Sequence, residues 1–578
     1  MAPSDSADQT YEFGRFSINT TERVLLRDGE AVALTPKAVA TLLVLVENSG
    51  RILEKEELMR LLWPGQFVEE SNLTHHISVL RKTLGEGEDG RPFIETVPRR
   101  GYRFAAGVSE VGREASLPMR SLAVLPFRSL AMAQRDEALE MGMADTLITK
   151  LSQIRQLAVR PTSAVRRFTD PEQDAVKAGR ELRAEVVLEG NIQRGGDNVR
   201  VTVQFIRVKD GHTLWAEKFD EQFTNIFTLQ DAIAEQVAGA LSIKLLGDEE
   251  KQLRKHYTES TKAYELYLQG RHELLSQYTE KSWKRAVKYF EEAINEDPSY
   301  ALAFVGLAYS HLLASNLFLP PKEASAAAEE WVREALALDE TLAEAHTCLA
   351  GITFAHHWGF TGAEREIKRA IELKPKYADA HWLYGIFLAS MGRFVEGLAE
   401  MKLARELDPL SLPISIDVGW LYYLSHRYME AREELERALE IDPNNPEALV
   451  YLARTHVATG EFSQAIALLE KPGWMDEPLW ILAMLGYTLA VSGRGDEALR
   501  TAEQLIEMSE HRYVSPLHIA LVFTGLGRTD QAISWLEKAY EERADLLVTL
   551  NVDPLFDSLR SDPQFTSLLQ RIGFVARA

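Results

Sequence analysis

The chain has 578 residues, 46% of them hydrophobic, and a formal net charge of −22 from 64 Lys/Arg against 86 Asp/Glu. This composition builds cores and excludes a disordered chain. The acidity excludes a general polyanion binder, so any nucleic-acid contact must be local. The single cysteine, Cys348, excludes a disulfide framework and a cysteine-based zinc site. No apolar run reaches the roughly 18 residues of a membrane helix, and MAPSDSADQTYEF has no signal-peptide pattern. A cytoplasmic protein of three to five domains, at roughly 100–200 residues each, is therefore expected. Most of the acidity is late: residues 251–578 hold 33 Lys/Arg and 48 Asp/Glu, residues 1–112 hold 13 and 17.

The chain opens with short strand signals at Tyr11 to Ile18, Val24 to Leu26 and Val32 to Leu34, the last two split by Asp28-Gly29. Thr35-Pro36 reads as an N-cap and first helical residue, followed by Val39, Leu42, Leu43 and Val46 at helical spacing, with Gly50 ending the helix. A second helix, Glu54 to Leu62, stops at Trp63-Pro64-Gly65. A third, Ser71 to Leu84, stops at Gly85. Phe93 to Phe104 alternates and turns at Arg99-Arg100-Gly101, a hairpin.

Strands, three helices and a closing hairpin are the order of a winged helix-turn-helix. LTPKAVATLLVLVENSGRILEKEELMRLLWP, ESNLTHHISVLRKTLG and FIETVPRRGYRF closely resemble the OmpR/PhoB-type winged helix, its CadC-like branch most of all. The resemblance covers residues 11–106. About ten residues precede it, so aspartate phosphorylation in a phosphoacceptor domain of the kind usual in OmpR-type regulators is not expected. A polar linker at 107–120 stands where CadC-like proteins usually carry a transmembrane helix.

Residues 121–250 read as an α/β domain. SLAVLPF is a buried strand, Leu139 to Gln153 a helix, Leu157 to Arg160 a strand and Pro171 to Leu182 a helix. Glu185 to Arg194, the period-two run Val199, Val201, Val203, Phe205, and Thr213 to Phe219 then form an antiparallel meander. Phe227 to Leu246 closes it as a helix. VVLEGNIQRGGDNVRVTVQFIRVKDGHTLWAEKFD resembles the TolB-amino-terminal-like or FlgO-like module of some bacterial regulators and adenylyl cyclases, and the resemblance assigns no ligand.

The rest is repetitive. Pro375, Pro409 and Pro443 lie 34 apart, and small residues recur 12 apart, as at Gly385 and Gly397 or Gly419 and Ala431. That period is the tetratricopeptide signature, an all-α solenoid of about eight units over residues 261–545. Residues 546–578 read as a capping segment.

On the third winged-domain helix, Leu73, Ile77, Leu80 and Leu84 form one apolar stripe. The other faces present Ser71, Asn72, Thr74, His75, Ser78, Val79, Arg81 and Lys82, and no acid lies between Ser71 and Gly85. An acid-free, hydrogen-bonding face suits a major groove, where carboxylates would meet phosphate repulsion; alone it equally describes a solvated helix, and the winged-helix resemblance favours DNA contact. In that family the hairpin turn reaches the minor groove, which carries over to Arg99 and Arg100. Arg103 can simply flank the strand, and Tyr102 and Phe104 match core positions. His75 and His76 face different ways, and no metal site or cofactor is expected. No P-loop, G-x-S-x-G or H-E-x-x-H motif is present, so no enzyme is expected.

In tetratricopeptide arrays the first helix of each unit lines the concave face. By that register His356, Trp382, Trp420, Tyr423 and Arg454 face a groove for a peptide or apolar ligand, although each aromatic equally suits inter-helix packing. The sequence thus reads as a transcriptional regulator that binds double-stranded DNA, self-associates there as a dimer or in tandem, and touches RNA polymerase. Its later regions sense a ligand or recruit a protein. The alternative is a repeat scaffold whose winged helix does not bind DNA.

Overall fold

The computed structural model describes residues 10–574 apart from 14, 20–24, 28–29, 33, 63–67, 69, 86–91, 99, 106–108, 112–120, 130–135, 171–172, 196–197, 223–225, 242–252, 254, 277–278, 316–318 and 471–478. Arg99, the Trp63-Pro64-Gly65 stop and the Asp28-Gly29 turn therefore lie outside the described residues, as does most of the 107–120 segment. The chain divides into two compact units, residues 1–118 and 119–578.

The first unit begins with β1 (Thr10–Phe13), β2 (Phe16–Asn19), β3 (Leu25–Arg27) and β4 (Glu30–Val32), paired antiparallel in sequence order. Then come α1 (Pro36–Glu47), β5 (Ile52–Leu53), α2 (Lys55–Leu62), α3 (Glu70–Leu84), and the hairpin β6 (Ile94–Val97) and β7 (Gly101–Phe104). Thr35 caps α1, its hydroxyl accepting the Ala38 N–H at 3.3 Å, with Pro36 in the first turn. The segment read as a polar linker contributes β8 (Ser109–Val111), which adds antiparallel to β1. The unsatisfied edge of β1 offers backbone partners that polarity of sequence does not reveal. Phe13, Phe16, Phe93 and Phe104 meet edge-on and stacked between sheet and hairpin.

The second unit starts with a mixed sheet. β9 (Ser121–Val124) pairs in parallel with β11 (Ala158–Val159) and with β12 (Val186–Gly195); β10 (Arg128–Ser129) also joins β12. β12, β13 (Asn198–Arg207) and β14 (Thr213–Gln222) form the expected antiparallel meander. Helices α4 (Glu137–Leu151), α5 (Thr162–Val165), α6 (Ala175–Glu181) and α7 (Ile226–Ala240) complete it. The helix read from Pro171 starts later, because the Asp174 carboxylate accepts the N–H groups of Val176 and Lys177 and sets the cap there.

Sixteen helices between Thr261 and Glu541 pair in sequence among the described residues, giving eight hairpins. Close approach needs the small residues. A β-carbon on Gly385 would lie 3.1 Å from the Gly397 carbonyl oxygen, and one on Gly397 2.9 Å from that of Gly385. The α/β layer is clasped by this array. The Arg160 guanidinium donates to the carbonyls of Glu406 (2.8 Å), Leu407 (3.0 Å) and Arg183 (2.6 Å), and the Ser163 hydroxyl donates to Asp408 at 2.7 Å.

Residues 545–574 cap the array and also run back across it. Two 3₁₀ turns, Asp545–Thr549 and Pro554–Leu559, lead to helix Pro563–Ile572, whose Phe565, Leu568 and Ile572 are buried. Trp358, in the turn of the third pair, packs on Tyr540 of the eighth with ring centroids 4.7 Å apart, and Arg543 lies 3.9 Å over the Trp358 ring.

Candidate nucleic-acid interface

Helix α3 is anchored by its apolar stripe. Leu73, Ile77, Leu80 and Leu84 are all buried, which fixes its rotation and leaves Ser71, Asn72, Thr74, His75, Ser78 and Lys82 exposed, with Val79 half-buried. The helix starts at Glu70, one residue before the predicted start, so the acid-free stretch begins in its first turn. His75 and His76 sit edge to face at 5.7 Å. Burial, then the charges of His75 and Lys37, holds His76 below the usual imidazole range, so it favours the neutral form.

Arg81 has a role that helical position does not reveal. Its Nε donates to the Ile94 carbonyl at 2.9 Å and an Nη to the Thr96 hydroxyl at 2.7 Å, with the guanidinium 6.0 Å above the Tyr102 ring. It ties α3 to the hairpin, so the recognition face and the wing share one frame. Its partners lie 13 and 15 residues away, beyond any periodicity of α3.

The wing is fixed by a glycine. Gly101 has φ 145°, and a β-carbon there would lie 1.9 Å from the Leu53 carbonyl oxygen, because β7 lies against β5. Arg100 is exposed at the turn, its N–H donating to the Val97 carbonyl at 3.0 Å. Arg103 pairs with Glu95 at 2.6 Å, which spends its charge within the hairpin. Tyr102 and Phe104 are buried, as expected of core positions.

The predicted groove residues of the repeats meet the chain itself. His356 Nδ1 donates to the Arg543 carbonyl at 3.3 Å, taking the tautomer that carries the proton there. Trp382 donates to Asp417 at 2.7 Å, and Trp420 is buried and stacked on Tyr451 at 5.7 Å. The Tyr423 hydroxyl (3.5 Å) and an Arg454 Nη (3.1 Å) both donate to Asp553 of the tail. Tyr423 and Arg454 thus meet the capping segment, whereas Trp382 and Trp420 meet neighbouring repeat helices and His356 the chain just beyond the eighth pair. Among the described residues no group of three or more His, Cys, Asp or Glu could hold a metal ion, and no helix is long and apolar enough to cross a membrane.

Residues 29–104 match the family of transcriptional regulatory protein C-terminal domains, and residues 422–472 match a tetratricopeptide repeat. Residues 118–236 match the second domain of HilA/YgeH-like transcriptional regulators. Module by module, the chain is thus similar to CadC/HilA-like regulators and to tetratricopeptide-repeat proteins. It is 29% identical to the transcriptional regulator HilA of Salmonella typhimurium over 429 residues, 73% of this chain and 74% of that one. It is 30% identical to the transcriptional activator CadC of Escherichia coli over 109 residues, 18% of this chain and 21% of that one. A putative adenylate cyclase 3 of Rhizobium meliloti is 29% identical over 187 residues, 32% of each chain. The chain is therefore similar in its two amino-terminal modules to transcriptional regulators, and over about a third of its length to a protein named as a cyclase.

Proposed function

We infer that this chain is a DNA-binding transcriptional regulator that acts in the cytoplasm and performs no catalysis of its own. The observation that carries the reading is the exposed, acid-free face of α3, held in fixed geometry beside the wing by Arg81. Ser71, Asn72, Thr74, His75, Ser78 and Val79 meet base edges in the major groove, and Lys82, Arg99 and Arg100 meet phosphates or the minor groove. Arg81 serves the interface by positioning. Residues 11–106 form the DNA-binding module, 121–250 and 261–545 the sensing and recruiting part, and 546–578 the cap. The regulator self-associates on DNA and contacts RNA polymerase, and its repeats take a protein or small ligand.

The test uses the full chain. Genome-wide mapping of bound DNA supplies the operator. His75→Ala is expected to lose roughly 1–3 kcal/mol on that operator while binding to random duplex hardly changes. An equal loss on both duplexes would make His75 a phosphate contact. If neither His75→Ala nor Lys82→Ala alters binding, α3 is not the interface and the scaffold reading replaces this one.

A further inference from the structure

Among the described residues, six of the eight repeat hairpins turn through one left-handed residue after their first helix, a conformation in which a β-carbon is disfavoured; in the third pair it is Trp358 (φ 57°), whose ring is used in the stack on Tyr540. Four of the eight pairs place glycine there: Gly392 (φ 75°), Gly460 (φ 79°), Gly493 (φ 88°) and Gly527 (φ 68°). The fifth pair places His426 there, with φ 62°, directly after the C-cap Ser425 of helix Leu412–Leu424. A strained residue where its counterparts are glycine points to a use for its side chain.

His426 is exposed at the rim of a cavity of about 330 Å³ between the turns of the fourth and fifth pairs and the carboxyl-terminal segment. Its Nδ1 lies 2.7 Å from the Tyr428 hydroxyl, and the two rings meet edge to face, which sets the imidazole's orientation. One wall is apolar, formed by Phe394, Leu424, Leu569 and Phe574. The polar side carries an ion pair, Arg560 Nε to Asp557 at 2.6 Å. Arg560 also donates to the carbonyls of Asn551 (2.8 Å) and Asp553 (3.3 Å), so its guanidinium is held in place. The two lining charges cancel. A ligand with net charge would enter uncompensated, whereas a neutral dipolar one would find both signs and an apolar wall.

We propose that this cavity is an effector site for a small zwitterionic ligand with an apolar body, the chemistry of a free amino acid with an aliphatic side chain. The ligand's charged end meets His426 and the Asp557–Arg560 pair, and its body lies against Phe394 and Leu569. The proposal rests on the repeats being the sensing part and is independent of DNA binding, since its readout contains no DNA.

Calorimetry and thermal melting of the full chain with L-leucine test it. Saturable binding and a raised melting temperature are expected. L-leucinamide, 4-methylpentanoate and 4-methylpentanamide, each lacking one or both charges, should bind at least about tenfold more weakly. His426→Gly installs the residue of the four glycine turns, so it should melt no lower than the parent and lose at least about tenfold in leucine affinity. Phe394→Trp should abolish binding by filling the cavity. In the unaltered chain, leucine should slow hydrogen exchange at residues 424–428 and 551–560. Absence of leucine binding overturns the proposal, as does binding with no change in exchange at those residues. Equal affinity for all four compounds overturns the ligand class. Should His426→Gly fail to fold, the exchange pattern and Phe394→Trp decide.

Discussion

The winged unit and the repeat unit treat their polar side chains in opposite ways. On α3, a continuous apolar stripe consumes one face and leaves hydroxyl, amide, imidazole and ammonium groups at the surface. On the inner helices of the repeats, Trp382, Trp420, Tyr423 and Arg454 are consumed by neighbouring helices and by the tail. A helix with one sharply bounded core face keeps its other faces for a partner. A helix hydrophobic most of the way round, such as Leu412–Leu424 with ten buried residues, has little surface to spare. Polar side chains therefore stay at the surface in one place and serve internal packing in the other.

The largest effect that would break this contrast is loss of the wing. Gly101→Val drives a side chain into the Leu53 carbonyl, and the winged unit should lose more than about 4 kcal/mol and all specific DNA binding. Fragment melting and duplex titration check it. Next, Arg454→Met leaves the Asp553 carboxylate buried without its cation. The repeat unit should lose about 3–5 kcal/mol, while DNA affinity per folded molecule stays unchanged.

A third test follows from Asp408, whose carboxyl burial pushes up to about 6 from an ordinary 3.8. Between those values the folded chain holds a proton that the unfolded chain has lost, so its contribution to stability falls as pH rises and the penalty is complete above about pH 6. Asp408→Asn should therefore be more stable than the parent at neutral pH, by up to about 3 kcal/mol, and nearly equal to it below pH 4. Denaturant melts across that range check it. His518, lowered to about 4 by burial and then by Arg454, acts in the opposite sense and destabilises the fold as pH falls below 6.5. The smallest expected effect sharpens the surface side of the contrast: Arg100→Ala should weaken operator and random duplex alike and reduce the slope of log K against log salt by about one.

The three-part architecture was legible because it is written locally. The stripe of α3 recurs at helical spacing, the meander at period two, and the repeats at 34 residues. The exposed face of α3 could be read for the same reason. What the sequence hid depends on residues far apart along the chain. Arg81 reads as one more surface cation until Ile94 and Thr96 fold against it. Arg160 reads as a strand end, yet its carbonyl partners at Glu406 and Leu407 lie 246 and 247 residues on. The tail reads as a cap over the last repeat, and nothing periodic in it announces that Asp553 meets Arg454, 99 residues earlier. Long-range pairings between single polar groups have no spacing rule to betray them.

The Trp358–Tyr540–Arg543 stack changes how the repeat region must come apart. An open solenoid holds each unit only to its neighbours and frays from its ends. Here His356 of the third pair is bonded to Arg543 beyond the eighth, across 187 residues. The last repeat is thereby held by a second partner, so fraying from that end should be suppressed and the third to eighth pairs should melt as one cooperative block. Closing so long a loop also makes the final docking step slow and leaves it until the last repeat has been made. The region behaves as a hoop rather than a spring, in which strain entered at one pair reaches the pair across the ring without travelling through every unit between them.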